Sequence, residues 1–308
     1  MTNSDDTFME IWNRLCTGEP LQGLGIARIG NRLDLRNLHL PEAKVISTTQ
    51  MPFANVNVLK GMWDVQDASW RSVDFSSSRL PNLRWLSCQI GDCLFDRCRF
   101  DDLRVWGTDF SNVSFCSAYM RRAALGGVSE GRVNTFRHVD FTSADMRGTA
   151  WDAAEFVGCT FKNTKLDEAD FQSSSFRDCV FEGELREVVF NRRGFRGEAY
   201  PPNEMKGVDF RRAKLRFCEF RGLDLKDVQL PEDDDHIVIR GYPEAITRLL
   251  GFFGNKPDLG SRQISIVLRH ELKWLGAREL GLFHKDDIRE MAGEEGLEAF
   301  MKLIGNDD

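Results

Sequence analysis

The sequence predicts a mainly-β solenoid, a narrow tube of stacked coils followed by a smaller α-helical region. Three observations predict it. An apolar residue recurs at every fifth position over long stretches, a small side chain stands two places before most of those residues, and the pattern turns helical after about residue 235. A period of five fits neither the helical repeat of about 3.6 residues nor the alternation of about two in a strand, so each unit is a short extended piece followed by a corner.

The elements follow in chain order. Residues 1–30 carry an amphipathic helical pattern, Phe8, Met9, Ile11, Trp12 and Leu15, suited to cover the first coil as an N-terminal cap. Leu33-Asp34-Leu35 and Leu38-His39-Leu40 read as an opening coil, and an irregular stretch, 46–64, carries Phe53, Val58 and Trp63. The long run begins at Phe75 and passes through Leu80, Trp85, Ile90, Phe95, Phe100, Val105, Phe110, Phe115 and Met120 to Leu125. After a break at 126–135 it resumes from Phe136 to Phe181, and a third block runs from Phe210 to Leu230. The breaks at 126–135 and 191–207 are expected to protrude as loops.

Two inward positions per unit, one large and one small, are what a tube needs if its interior is to be filled without voids. The exceptions at the small position are Leu83, Leu103, Asn134 and Leu223. Polar residues between the two inward positions, as in Val73-Asp74-Phe75 and Ala169-Asp170-Phe171, are expected to face water. Hydrophobic residues make up 42% and charged residues 29% of the 308, enough for a substantial core and too much apolar content for a disordered chain.

Units such as Ala144-Asp145-Met146 and Val139-Asp140-Phe141 resemble the pentapeptide-repeat family, whose unit is Ala-(Asp/Asn)-Leu-X-X with Phe often replacing Leu. The resemblance covers 65–230 and extends to 33–45. It implies a right-handed quadrilateral β-helix over 31–230, in which four units make one coil of 20 residues. Centres 20 apart then stack at about 4.8 Å, giving ladders Phe75, Phe95, Phe115 and Phe136, Phe156, Phe176 in about seven or eight coils.

Six of the eight cysteines, Cys88, Cys93, Cys98, Cys159, Cys179 and Cys218, occupy the small inward position, where a free thiol packs as a small hydrophobe. Consecutive units face different ways and no histidine stands near the first three, so a zinc site is not expected. The chain is long and its first residues, Met1 to Asp6, are polar and acidic, so neither a disulfide framework nor a signal peptide is expected. The expected location is a reducing cytoplasm.

No catalytic constellation emerges. His270-Glu271 begins like a zinc-protease helix, but Trp274 stands where the second histidine belongs. Gly23 and Gly25 lack the third glycine of a dinucleotide loop. The run Glu232-Asp233-Asp234-Asp235-His236 reads as a solvated linker or helix start, with a divalent-ion site as the lesser alternative. The expectation is a non-enzymatic protein without cofactor or metal, and no apolar run is long enough to cross a bilayer.

Partner binding is therefore sought on loops, walls and ends. The loop 191–207 carries Arg192, Arg193 and Arg196 with Phe195 and Tyr200, a composition that suits an interface. The other reading is that Phe195, Tyr200 and Met205 fold back to continue the five-residue phase. The segment 152–187 is acidic, with Asp167, Glu168, Asp178, Glu182 and Glu184 as candidate contacts, and 188–226 is basic. Ile264, Val267, Leu268, Leu272 and Leu275 line one helical face in the acidic region 231–308, and Ile288, Met291, Leu297, Phe300, Met301 and Ile304 suggest a closing helix.

Charge separates the specific readings. The repeat region 65–230 holds 25 Lys plus Arg against 25 Asp plus Glu, while 231–308 holds 10 against 16. Some family members, including plasmid quinolone-resistance proteins, resemble duplex DNA and bind DNA gyrase or topoisomerase IV in its place. The resemblance thus implies type II topoisomerase as one partner, and a homodimer through C-terminal elements. A neutral rod argues against a dense negative mimic and gives no basic face for direct nucleic-acid binding, so a scaffold for another protein is the first expectation.

Overall fold

The computed structural model describes residues 3–21, 23–41, 47–50, 57–60, 63–193, 202–276 and 278–305. Its long element is a β-helix solenoid of parallel turns. Arg104, Val105 and Trp106 pair with Arg84, Trp85 and Leu86, a register of 20 residues and thus four five-residue units per turn. One wall is a six-stranded parallel sheet running from Ser69–Arg71 through Gln89–Gly91, Asp109–Ser111, Thr135–Arg137 and Glu155–Val157 to Ser175–Arg177. Another is joined by single bridging pairs, from His39 and Arg79 up to Asp145 and Lys165.

Each corner has one backbone solution. The residue two places after the inward centre sits in the left-handed region, as at Asn82 (φ 56), Ser87 (φ 55), Asp92 (φ 54), Arg97 (φ 55) and Asp102 (φ 61). Asn, Asp and Ser tolerate that region better than most residues, and Gly107 and Gly158 occupy it without a Cβ penalty. Left-handed backbone costs an ordinary L residue about 1–2 kcal/mol, and the ladder to the next turn offsets it. Phe75 N–H donates to Leu94 O at 2.8 Å, and Leu94 N–H donates to Val73 O at 3.0 Å.

The alternation around each centre turns the large ring inward and its two neighbours outward. Phe75, Phe95, Phe115 and Phe141 form one stack, with centroid separations of 5.1, 5.1 and 5.6 Å. Phe110, Phe136, Phe156 and Phe176 form another, at 4.8, 5.0 and 4.7 Å. Rings of different stacks meet edge to face, as Trp85 meets Phe95 at 5.5 Å, so the interior is filled. Cys88, Cys93, Cys98, Cys159 and Cys179 are buried free thiols and Cys218 is half-buried. Burial pushes the Cys93 and Cys98 thiols up to about 12, which leaves them inert at neutral pH.

The break at 126–135 is a protruding hairpin, Val128–Ser129 against Arg132–Val133. It lengthens that turn, so Asp109 pairs with Thr135, and the phase resumes beyond it. Asn134 closes the gap. Its buried side chain donates to Val105 O (2.9 Å) and Leu125 O (2.8 Å) and accepts from Thr108 N–H (2.9 Å). A polar residue holds a small apolar slot because the insertion opens backbone groups that burial would leave unpaired. A second hairpin pairs Ser47–Gln50 with Asn57–Lys60.

Helix α1 (Asn3–Thr17) lies across the first turn. Trp12 is buried edge-on to Trp63 at 5.4 Å, and Trp70 Nε1 donates to Leu15 O at 2.8 Å. Beyond the last turn, strands His236–Arg240 and Leu280–His284 pair antiparallel. Helices α2 (Tyr242–Phe253), α3 (Leu259–Lys273) and α4 (Lys285–Ile304) complete a separate small core around Ile246, Leu249, Ile264, Leu268, Ile288 and Phe300. Asp258 caps α3 by accepting from Ser261 N–H at 2.8 Å, and α4 is broken at Gly293 (φ 69). Leu272, expected on the apolar face of α3, is exposed because the last turn of that helix runs past the core. No helix among the described residues is long and apolar enough to cross a membrane.

Candidate partner-binding surface

The walls carry charge in a regular form. The residues before and after an inward centre point outward on one side, so an acid and a base two apart pair with each other. Asp209 meets Arg211 at 2.7 Å, Glu219 meets Arg221 at 2.6 Å, Asp145 meets Arg147 at 2.6 Å and Arg99 meets Asp101 at 3.1 Å. The bonds from Arg211 hold the Asp209 carboxyl below its ordinary range. Such exposed pairs contribute little stability, about 0–1 kcal/mol each, but they cancel the field that a polyelectrolyte would sense.

The acidic candidates do not converge. Asp167 and Glu168 follow Leu166, Asp178 follows Phe176, and Glu182 and Glu184 flank the bulged strand Val180–Arg186, so three successive units carry them in different directions. Glu182 is neutralised by Lys162 at 3.2 Å and Arg212 at 3.8 Å, and Glu184 pairs in register with Lys214. Asp178 lies at a corner against Gly207, where an added Cβ would stand 2.5 Å from its Oδ1.

Arg192 and Arg193 are exposed at the edge of the second break. Phe195, Arg196 and Tyr200 lie outside the described residues. Where the chain returns, Met205 is fully buried, and the Asn203 side chain accepts from Met205 N–H at 3.0 Å. The fold-back reading therefore holds for Met205. A polar hollow of about 340 Å³ opens between Arg192, Glu204, Lys206, Asp224 and Lys226.

The end of the coil holds the densest polar construction, and periodicity gave no hint of it. An uncovered last turn would leave a row of open N–H and C=O groups. Asp287 accepts from Phe217 N–H at 2.7 Å and also binds Arg216, whose guanidinium reaches Glu290 at 3.0 Å. The His236 ring accepts from Leu215 N–H at 3.0 Å and is held by Asp233 at 2.8 Å, so the acidic run 232–236 starts no helix but ends in a capping strand. Trp274 O accepts from Gly222 N–H (2.8 Å), and Arg278, itself bound to Glu271, donates to Phe220 O (2.9 Å). Burial pushes the Asp287 carboxyl up, against the pull of Phe217 N–H and Arg216.

Beside these contacts a cavity of about 350 Å³ separates the last turn from the tail, between Phe217, Phe220, Ile266, His270, Phe283 and Met291. His270 faces Glu219 at 3.3 Å. Its signals were in the sequence as unassigned aromatic and charged residues, but only the docking of the tail brings them together.

The family model described as pentapeptide repeats (8 copies) matches residues 152–183. Among solved structures, the chain is similar to a trypsin-treated form of QnrB1, a plasmid-mediated fluoroquinolone resistance protein, with 18% identity, 71% of this chain and 95% of that chain covered, and a TM-score of 0.23. It is similar to HetL, a pentapeptide repeat protein involved in heterocyst differentiation regulation from the cyanobacterium Nostoc sp. strain PCC 7120, with 14% identity, 55% and 90% covered, and a TM-score of 0.20. A third is Rfr23 from the cyanobacterium Cyanothece 51142, with 12% identity, 64% and 87% covered, and a TM-score of 0.17. No curated protein matches the chain. With the repeat model matched at 152–183 and the same five-residue unit turning the backbone on either side of it, this chain is a pentapeptide-repeat protein.

Proposed function

We propose that the chain is a non-catalytic scaffold that binds another protein through its walls, protrusions and the tail. The observation that carries this reading is the filled interior. Stacked rings occupy the tube, α1 covers one end and the tail the other, so recognition is left to the outside. The reading divides the chain into an N-terminal cap (1–30), a right-handed quadrilateral β-helix (31–230) and a C-terminal helical region (231–308). Four units per turn support four sides. Buried free thiols support a reducing, cytoplasmic setting.

The alternative is a DNA mimic that binds a type II topoisomerase, as the resemblance implies. Its support is weaker, because mimicry needs a continuous negative surface and these walls pair their charges. A homodimer through the C-terminal helices is the other implied partner, and sedimentation of the full chain decides it. Affinity capture from the native cell lysate, comparing wild type with the triple variant Arg192→Glu, Arg193→Glu, Arg196→Glu, tests the scaffold. A specific partner retained by wild type is expected, and an unchanged partner set discards the loop. Inhibition of gyrase supercoiling by the added protein would favour the mimic instead.

A further inference from the structure

The tail is acidic overall, yet one of its helices presents the opposite charge. Around α3 the positions Leu259, Arg262, Ile266, Arg269 and Lys273 follow one another at steps of three and four, so they share one stripe, and all five are exposed. The only carboxylate on α3, Glu271, is turned away to Arg278 and Tyr242. Among the described residues, Arg262, Arg269 and Lys273 form no ion pair.

The apolar residues of the stripe are not scattered. Among the described residues seven large apolar side chains are exposed, and five of them, Phe252, Leu259, Ile266, Leu272 and Trp274, belong to α2, α3 and the turn after it. Leu259 is 72% and Ile266 65% exposed, values an isolated folded surface gains nothing by keeping. Two hollows flank the stripe and share Ile266. One, of about 380 Å³, lies between Lys256, Pro257, Arg262 and Arg269, and the other is the apolar cavity of about 350 Å³ at the coil junction.

We propose that this face of α3 is the docking site for an acidic amphipathic segment of a partner protein, its apolar side chains seated on Leu259 and Ile266 and its carboxylates on Arg262, Arg269 and Lys273. The proposal rests on the protein-binding reading above and names the partner chemistry and the place. Complementarity selects the occupant. Three unpaired cations in one line ask for anions, and the leucine and isoleucine between them ask for apolar contact that a phosphate backbone does not offer. The exposed Glu294, Glu295 and Glu298 of α4 repel a long polyanion, whereas a short segment senses only charges within a screening length of about 8–10 Å. A second copy of this chain meets the charge with α4 but brings no exposed apolar ridge there. The stripe is about 20 Å long at about 1.5 Å per residue, the reach of a helical segment.

The test is selection of binders from a display library of random peptides on the full-length protein, followed by fluorescence anisotropy of the enriched sequences. Sequences rich in Asp and Glu with apolar residues three and four apart are expected. Their affinity should fall about tenfold or more in the double variant Arg262→Glu, Arg269→Glu, fall likewise in Ile266→Glu, and stay unchanged in Arg192→Glu, Arg193→Glu. Enriched peptides without acidic bias, or none, overturn the proposal, as does binding indifferent to the double variant. A short DNA duplex or phosphatidylserine vesicles held more tightly than the peptides, and released by the double variant, overturn it in favour of nucleic acid or lipid. Lysate capture by the full chain judges the scaffold reading separately: a partner retained equally by wild type and the double variant leaves that reading standing and removes this site.

Discussion

The coil and the tail solve the burial problem in different ways. In the coil every large side chain meets its counterparts one turn above and below, so Phe95 stacks between Phe75 and Phe115 and the core is a column. In the tail, Ile246, Ile264, Ile288 and Phe300 come from three helices and meet around one centre. A column propagates order from neighbour to neighbour, and its weakest points are its ends and interruptions. A globular core has no ends, but it depends on contacts between residues far apart in sequence. The tail of this chain also serves as the cap that the column lacks, through Asp287, His236, Trp274 and Arg278.

The largest test of the column is Phe115→Ala. It empties a fully packed layer and removes a stacking partner from both Phe95 and Phe141, so a loss of about 3–5 kcal/mol is expected in urea unfolding. A loss much smaller than the Phe300→Ala loss in the tail would show that the column repacks where the globule does not.

Next is Asp287→Ala at the seam between the two regions. It strands the Phe217 N–H and leaves the buried Arg216 with the exposed Glu290 and Asp286, which costs about 3 kcal/mol and should separate the tail from the coil. Limited proteolysis near residue 230 measures the separation. If the coil melts together with the tail, the seam is part of one cooperative unit. Asn134→Leu strands three backbone groups at the hairpin insertion and is expected to cost about 1–3 kcal/mol, a penalty confined to the coil.

A pH dependence belongs to the tail alone. Burial, with the His236 ring 4.8 Å away, holds the buried His284 imidazole below its ordinary 6.5, against the opposing pull of Asp287 and Asp286. Its Nδ1 accepts from Asp286 N–H at the start of α4, so the folded tail requires the unprotonated ring. Stability is then full above pH 6.5 and is lost as the pH falls through the depressed value, because the unfolded ring takes up the proton first. Thermal unfolding of the tail should drop on acidification, and His284→Asn, which can still cap α4, should flatten the profile.

The smallest test exchanges one residue type in both regions. Ser117→Gly at a left-handed corner (φ 58) should stabilise by less than about 1 kcal/mol, the relieved strain exceeding the added freedom of the unfolded chain. Glu298→Gly within α4 should destabilise by about 1 kcal/mol. Melting temperatures moving in the same direction would remove the distinction between corner and helix.

Much of the coil was legible because its determinants are local. A large inward residue, a small one two places before it and outward neighbours are settled within five positions, and the ladders from Phe75 to Phe115 and from Phe136 to Phe176 follow from spacing alone. The corner signal was present and unread: Asn, Asp, Ser or Gly stands two places after most centres because those residues accept a positive φ. The acidic cluster misled for the same geometric reason that made the fold readable. Consecutive units face different directions, so neighbours in sequence such as Asp178 and Glu182 part company in space.

The amino-acid order alone thus determined the five-residue turn, the filled interior and the change to helices near residue 235, since each depends on alternation and volume over a few residues. It left open which groups close the last turn and which face of α3 stays bare. Arg216 and Asp287 stand 71 positions apart, and Ile266 is exposed although Ile264 beside it is buried. Only the docking of the tail on the coil decided these, because a side chain's partner across a long separation is set by how two surfaces meet and not by the residues on either side of it.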